Sequence, residues 1–100
     1  MTIQEFLFKT GNYSNLSGFK PLCRAVEIVK AKKGKIYITK ELYPQLAKEF
    51  DTTPSKIERS MRFIIQERIS VAEYRKLLGM EFVPSNSELI FYFASLGGRK

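Results

Sequence analysis

The sequence predicts an all-α domain of six helices that contains a helix-turn-helix motif. Apolar residues recur at three- and four-residue spacings through most of the chain, as they do along the buried face of a helix. Glycines or polar cap residues stand where one such series ends and the next begins. Residues 36–38 resemble a β-strand, but the sequence offers them no obvious partner strand. We therefore expect helices joined by short links and no sheet.

The composition indicates one folded domain over residues 1–100. Hydrophobic residues make up 44% of the 100 positions, which is enough for one modest core. Seventeen Lys and Arg against ten Asp and Glu give a net charge of +7 at pH 7. A protein of this charge attracts polyanions before any specific contact forms, so nucleic acid leads the candidate partners.

The residue content argues against enzymes, metal sites and membrane proteins. There is no histidine and one cysteine, Cys23, so the chain has neither a Cys-His pair nor a His-bearing metal site. Cys23 lies on an apolar helix face, which is typical of a buried thiol. The longest apolar run, residues 89–94, is too short to span a bilayer, and the first residues lack the features of a signal peptide. We expect a cytoplasmic protein with no catalytic residues, cofactor, metal or small-molecule substrate.

Two helices are predicted before residue 35. The first follows Thr2, with Ile3, Phe6 and Leu7 at helical spacing, and ends at Gly11. The second covers about residues 19 to 32 and stops at a glycine, with apolar positions at Phe19, Leu22, Cys23, Val26 and Val29. Lysines 30, 32 and 33 stand at its end. Because cations favour the C-terminal end of the helix dipole, we weigh that explanation above a phosphate contact.

The helix-turn-helix is predicted at about residues 39–67. After an extended link at residues 36–38, Thr39 is the expected N-cap of a helix that runs to Phe50. Thr53 is the next cap, and Pro54 takes the first helical position, where its missing N–H costs nothing. This second helix is expected to reach about Gln66.

Two further helices are predicted after the motif. Val71, Tyr74, Leu77 and Leu78 define one that stops at Gly79. A loop at residues 84–87 follows, with Ser87 as the candidate cap. The last helix precedes a tail at residues 97–98, and its apolar face carries Leu89, Ile90, Phe93 and Leu96.

The helix at residues 54–66 separates an apolar face from a basic one. At about 100° per residue, its inward side is predicted to carry Ile57, Met61, Ile64, Ile65 and Arg68. Arg59 points the opposite way. Ser55, Arg62 and Gln66 flank it, with Lys56 and Glu58 at the edges. A recognition helix presents its base and phosphate contacts in this way, although many ordinary surface helices do so too. Arginine at the central positions and the outward Phe63 favour a contact surface.

The stretch ITKELYPQLAKEFDTTPSKIERSMR resembles the helix-turn-helix of the C-terminal effector domain of the sporulation initiation response regulator, the stage-zero master transcription factor of endospore-forming bacteria. Weaker similarity covers nearly the whole chain, including IQEFLFKTGNYSNLSGFKPLCRAV, RKLLG and PSNSELI. The resemblance implies a six-helix domain that binds a short box of double-stranded DNA, often as head-to-tail pairs. It also implies no enzymatic activity.

The resemblance assigns roles to particular residues. Glu58 and Arg59 match the family's base-reading pair, while Lys56 and Arg62 match basic positions that contact the surrounding DNA. With Thr53, Ser55 and Gln66 on the same side of the helix, these residues form the predicted DNA contact set. Phe63 departs from the family by replacing a polar residue. The segment after the recognition helix and the loop at residues 80–87 are shorter than in the family.

Two expectations concern control and pairing. Family members carry an N-terminal receiver domain, whereas this sequence begins at Met1, at the edge of the effector domain. We expect a natural stand-alone protein without a phosphorylation switch, the alternative being an excised fragment. Phe91 and Tyr92 fall off the apolar face of the last helix and are the candidate pairing surface for a second copy on tandem sites. The alternative is that both belong to the core.

The sequence therefore predicts one of two functions. The leading one is a sequence-specific DNA-binding transcriptional regulator with helix 54–66 in the major groove. The alternative is a protein-interaction module that pairs with or antagonises a full-length relative without reading DNA itself. Phe63 and the aromatic run at residues 91–93 support the alternative.

Overall fold

The computed structural model describes residues 1–97, and within them six helices enclose one apolar core. The helices are α1 Ile3–Lys9, α2 Phe19–Ala31, α3 Tyr43–Glu49, α4 Pro54–Arg62, α5 Val71–Leu78 and α6 Asn86–Gly97. Two π-helical turns extend this set: Ile38–Leu42 leads into α3, and Phe63–Glu67 continues α4. The described residues contain no β-strand. The predicted all-α class with six helices is confirmed. The tail was predicted to begin at Gly97, but Gly97 is the last residue of α6, and Gly98 lies outside the described residues.

The first two helices begin at the predicted residues, and each ends slightly earlier than predicted, α1 at Lys9 and α2 at Ala31. The Thr2 hydroxyl accepts from the Glu5 N–H at 3.1 Å, and the Glu5 carboxylate accepts from the Thr2 N–H at 2.8 Å. This reciprocal capping box satisfies two N–H groups that a helix start otherwise leaves unpaired. At the end of α2, the N–H of Gly34 donates to the Val29 carbonyl at 2.9 Å, with Gly34 at φ +78°. The left-handed conformation closes α2 because glycine adopts it without a steric penalty.

The helix that leads into α3 starts earlier than predicted, so the assignment of Thr39 as its N-cap is wrong. Tyr37 is the N-cap, and its N–H donates to the Glu41 carboxylate at 2.9 Å. The N–H of Leu42 reaches back five residues to the Tyr37 carbonyl at 3.0 Å, which widens this turn. Ile38 is helical and packs against the core, which favours the earlier start.

The cap of α6 also differs from the prediction, because Ser85 takes the role assigned to Ser87. The Ser85 hydroxyl accepts from the Glu88 N–H at 3.2 Å, and the Glu88 carboxylate accepts from the Ser85 N–H at 2.8 Å. Glu88 stands three residues after Ser85, the spacing that a capping box requires. Ser87 has no acidic residue at that spacing and lies in the first turn.

The core draws side chains from all six helices and leaves Cys23 at its edge. Burial raises the pKa of the Cys23 thiol to about 11, and the nearby Glu27 carboxylate adds to the shift. The thiol is therefore protonated near neutral pH, as a structural cysteine is. Across residues 1–97, no helix has the length and apolar character needed to cross a membrane.

Candidate nucleic-acid interface

The turn between α3 and α4 fixes the geometry of the helix-turn-helix. At the end of α3, Asp51 adopts φ +55°, and the N–H of Thr52 donates to the Ala47 carbonyl at 2.8 Å. This bond spans the turn and satisfies the Ala47 carbonyl, one of the carbonyls that the end of α3 leaves without a helical partner. The Thr53 hydroxyl then accepts from the Lys56 N–H at 3.2 Å, and Pro54 is the first residue of α4. The predicted cap and start of α4 are confirmed.

The inward face of α4 carries the predicted apolar residues, with one correction at its end. Ile57, Met61, Ile64 and Ile65 are buried. Arg68, predicted on the same side, is exposed, and Ile69 is buried instead with 3% of its surface accessible. The π-helical turn Phe63–Glu67 ends the helix before this position: Arg68 is its C-cap, and Ile69 lies in the bend that follows. Because the chain has left the helix there, a rotation of about 100° per residue no longer decides which side chain faces the core.

The outward face of α4 carries most of the predicted contact residues in exposed positions. Arg59 is exposed on the side away from the core, and Glu58 is half-buried. The other exposed members are Thr53, Ser55, Lys56, Arg62 and Gln66. A cleft of about 340 Å³ brings Ser55, Glu58, Arg59 and Arg62 together at its walls. A smaller cleft of about 170 Å³ joins Glu58 and Arg62 to Gln66.

The charges on this face are only partly paired. Glu58 Oε2 lies 3.5 Å from Arg62 Nε, an i, i+4 pair on the surface of α4. An exposed pair of this kind contributes about 0.3–0.5 kcal/mol, so it orients Arg62 more than it stabilises the fold. Within the part of the chain that the structure describes, neither Lys56 nor Arg59 forms an ion pair. Glu58 thus leaves the Arg59 guanidinium available to a ligand.

A buried asparagine ties the middle of α4 to two other helices. Asn86 is 6% exposed, and its Nδ2 donates to the Glu58 carbonyl and to the Tyr43 hydroxyl, at 3.1 Å in each case. Tyr43 lies in α3 and Asn86 begins α6, so one amide group connects α3, α4 and α6. Burial raises the pKa of Tyr43 above its ordinary value. The backbone of Glu58 is therefore held by the Asn86 side chain as well as by the hydrogen bonds of α4.

The C-terminal end of the recognition helix is held by two polar contacts. The Tyr74 hydroxyl donates to the Ile65 carbonyl at 2.7 Å, which satisfies one of the carbonyls left open at a helix end. Tyr74 is fully buried, and this desolvation raises its pKa. Arg68 Nε donates to Asn12 Oδ1 at 2.6 Å, in the turn after α1. Arg68 and Asn12 are 56 positions apart, and the bond from Tyr74 to Ile65 belongs to no local motif. Neither contact could be predicted from a pattern in the sequence.

A glycine allows α2 to approach α4 closely. A Cβ atom added at Gly18 would lie 2.3 Å from the Ser60 carbonyl oxygen and 2.7 Å from its carbonyl carbon. Gly18 is the N-cap of α2, and Ser60 lies in the second turn of α4. The start of α2 therefore fixes the sideways position of the recognition helix. Gly18 was predicted to lie in a loop, and no pattern in the sequence indicates this contact.

Apolar surface lies next to the basic face. Phe63 is 48% exposed and Phe50 is 36% exposed. Both line a cleft of about 640 Å³ that Lys56 and Arg59 also border. The outward position predicted for Phe63 is confirmed.

The candidate pairing residues of α6 are only half exposed. Phe91 and Tyr92 pack against the core, and the Phe91 ring reaches the α2 end at Gly34. Tyr92 meets Phe93 edge to face, with ring centroids 5.2 Å apart. Each side chain therefore keeps part of its surface exposed to solvent.

Residues 3–95 match the model of the family described as sporulation initiation factor Spo0A C terminal. The match covers most of the chain, which therefore belongs to this family. The resemblance read from the sequence is confirmed. The family consists of DNA-binding effector domains of sporulation transcription factors and is not an enzyme family.

Proposed function

We propose that the chain is a sequence-specific transcriptional regulator that reads double-stranded DNA with α4 in the major groove. The observation that carries the proposal is the division of this helix: a buried apolar face holds it to the core, while Lys56 and Arg59 stand exposed on the other side. A helix of about 10–12 Å diameter, side chains included, fits the B-DNA major groove of about 12 Å. Its activity is binding and not catalysis.

Each predicted contact residue has a role that its chemistry supports. Arg59 would donate two hydrogen bonds to O6 and N7 of a guanine, the pairing that the planar guanidinium favours. Glu58 would accept from a cytosine amino group beside it. The remaining five would hold the helix to phosphates on either side of the bases: Thr53, Ser55, Lys56, Arg62 and Gln66.

The fixed position of Glu58 supports its proposed role. Its carbonyl is bound by Asn86, and its carboxylate lies 3.5 Å from Arg62 Nε. A group held in place before binding loses little conformational entropy when it meets its ligand. The partial burial of Glu58 thus makes it a better reader of one base edge than a freely moving surface carboxylate.

The test compares a duplex that carries a family-type box with a scrambled duplex across a series of salt concentrations. We expect tighter binding to the box at every salt concentration, and a steep loss of affinity for both duplexes as salt rises. Each neutralised phosphate adds about 0.9 to the slope of log K against log salt, because its counterions are released. Fluorescence anisotropy measures both quantities. Equal affinity for the two duplexes throughout the series would leave only non-specific binding by a basic protein.

We also propose that two copies bind adjacent boxes cooperatively through the exposed parts of Phe91 and Tyr92. A duplex with two boxes is expected to bind more tightly than two independent sites. Phe91→Ser and Tyr92→Ser should lower this cooperativity and leave affinity for one box unchanged. Tyr13→Ser is the matched control, since Tyr13 is an aromatic residue 53% exposed on another part of the surface. Strictly independent binding to both boxes would contradict pairing.

A protein-interaction module is the second candidate function. It is favoured by one observation, the exposed Phe63 and Phe50 beside the basic face. Exposed aromatic groups of this size are common at protein interfaces. Under this alternative the folded chain would show no preference for the box over scrambled DNA and would instead lower the DNA affinity of a full-length relative.

A further inference from the structure

A segment rich in lysine connects α2 to the helix-turn-helix. Residues 30–40 contain five lysines and no acidic residue, a group referred to below as the lysine segment: Lys30, Lys32, Lys33, Lys35 and Lys40. All five are exposed. The segment thus carries a large share of the net charge of +7 outside the recognition helix.

No carboxylate in the described part of the chain neutralises these lysines through an ion pair. The ion pairs there are formed by three arginines: Arg24, Arg62 and Arg75. The acidic residues nearest in sequence are engaged elsewhere. Glu27 Oε1 lies 3.2 Å from Arg24 Nη1, and the Glu41 carboxylate accepts from the Tyr37 N–H at 2.9 Å. The positive charge of the lysine segment is therefore presented to solvent.

The helix dipole accounts for only part of this cluster. Lys30 and Lys32 stand at the C-terminal end of α2, where a cation is favourable. Lys40 lies near the start of the helix that begins at Ile38, where the dipole is unfavourable for a cation. Lys33 adopts φ +54°, a conformation that favours glycine or asparagine over lysine. The fold alone gives no reason for lysine at these last two positions.

The lysine segment extends from the edge of the reading face, the exposed side of α4 that carries Glu58 and Arg59, to the far end of α2. Thr39, next to Lys40, lines the same cleft as Ser55 and Arg59. The start of α2 touches α4 at Ser60, and the 13 residues of α2 cover about 20 Å. Lys30 and Lys32 stand at the other end of α2. The length of α2 corresponds to more than half of the roughly 34 Å helical turn of B-DNA.

We propose that the lysine segment is a second DNA-binding surface, which contacts phosphates of the duplex flanking the box. The inference rests on the proposed function and extends its footprint. Backbone N–H groups contribute little, because those of residues 32–35 are bonded within the turn at 2.9–3.0 Å. The contacts come from ammonium groups, which act as point charges without base selectivity. The segment therefore adds affinity and salt dependence, while Arg59 and Glu58 supply the sequence preference.

The experiment uses two double variants with the same change in net charge. Lys32→Gln with Lys35→Gln alters the lysine segment, and Lys9→Gln with Lys76→Gln alters exposed lysines on α1 and α5. Each is titrated, with the unchanged chain, against a short duplex that holds only the box and a long duplex extended by about one helical turn, about 10 base pairs, on each side. Scrambled duplexes of both lengths complete the set. Thermal unfolding confirms that all three proteins are folded.

On the long duplex, the slope of log K against log salt is expected to be smaller by about 1.8 for the lysine-segment variant than for the unchanged chain, since two phosphate contacts are lost. On the short duplex it should match the unchanged chain, and the ratio of box to scrambled affinity should stay constant at either length. The control variant should alter neither slope. Equal effects of the two variants, or an equal effect on short and long duplexes, would overturn the proposal. A lack of box preference in the unchanged chain would instead refute the proposed function, and the two failures are distinguishable because this preference is measured without either variant.

Discussion

Arg59→Ala is expected to weaken binding to the preferred box by roughly 1 to 3 kcal/mol and to remove the preference at one base pair. The guanidinium is exposed and forms no ion pair among the described residues, so its removal takes away a ligand contact and no structural one. In the proposed complex, its loss would leave the guanine acceptors without their two donors. Titration of duplexes that differ at single positions of the box identifies the base pair concerned.

Two control variants separate base reading from charge. Lys56→Ala should weaken box and scrambled duplexes alike, because a phosphate contact carries no sequence information. Arg75→Ala removes an arginine of α5 that pairs with Glu81 at 3.0 Å and should leave the box preference intact. If Arg59→Ala lowered the affinity for all sequences equally, as Lys56→Ala is expected to, the base-reading role of Arg59 would be wrong.

The helix-turn-helix could be predicted because its signals are local. A threonine cap followed by proline fixes the start of α4, and the spacing of its apolar residues gives its buried face. Arg59 must then face outward, since the two faces of a helix exclude one another. The capping box of Ser85 and Glu88 was also present in the sequence, and the assignment of Ser87 overlooked it.

Other features lie beyond local pattern. Ile69 is buried in place of Arg68 because the helix ends at Glu67, so a rotation of about 100° per residue no longer applies there. The bond from Asn86 to the Glu58 carbonyl joins residues 28 positions apart. Such a contact depends on how the helices pack, because no spacing rule relates α4 to α6. The reading face was therefore predictable, and the contacts that hold it were not.

Gly18→Ala is expected to lower both the free energy of unfolding and the affinity for DNA. The added Cβ would lie 2.3 Å from the Ser60 carbonyl oxygen, so the backbones of α2 and α4 must separate. Overpacking of this kind costs about 1–3 kcal/mol. Alanine also lowers the conformational entropy of the unfolded chain, which offsets about 0.4–1 kcal/mol of this cost. The net effect stays destabilising because the clash is with backbone atoms. A shift of α4 moves Arg59 and Glu58 together, and displacement of a positioned hydrogen-bonding group weakens base reading.

Gly79→Ala provides the matched control for this prediction. Gly79 closes α5 at φ +71°, and a Cβ there would meet nothing within 4 Å. The left-handed backbone costs a non-glycine residue about 1–2 kcal/mol, so Gly79→Ala should lose stability without moving the recognition helix. Urea denaturation measures the stability of each variant, and titration of the folded fraction with the box measures its affinity. Gly18→Ala should show a loss of affinity that Gly79→Ala does not. Equal affinity of the two folded variants would mean that the contact between Gly18 and Ser60 does not position the reading face.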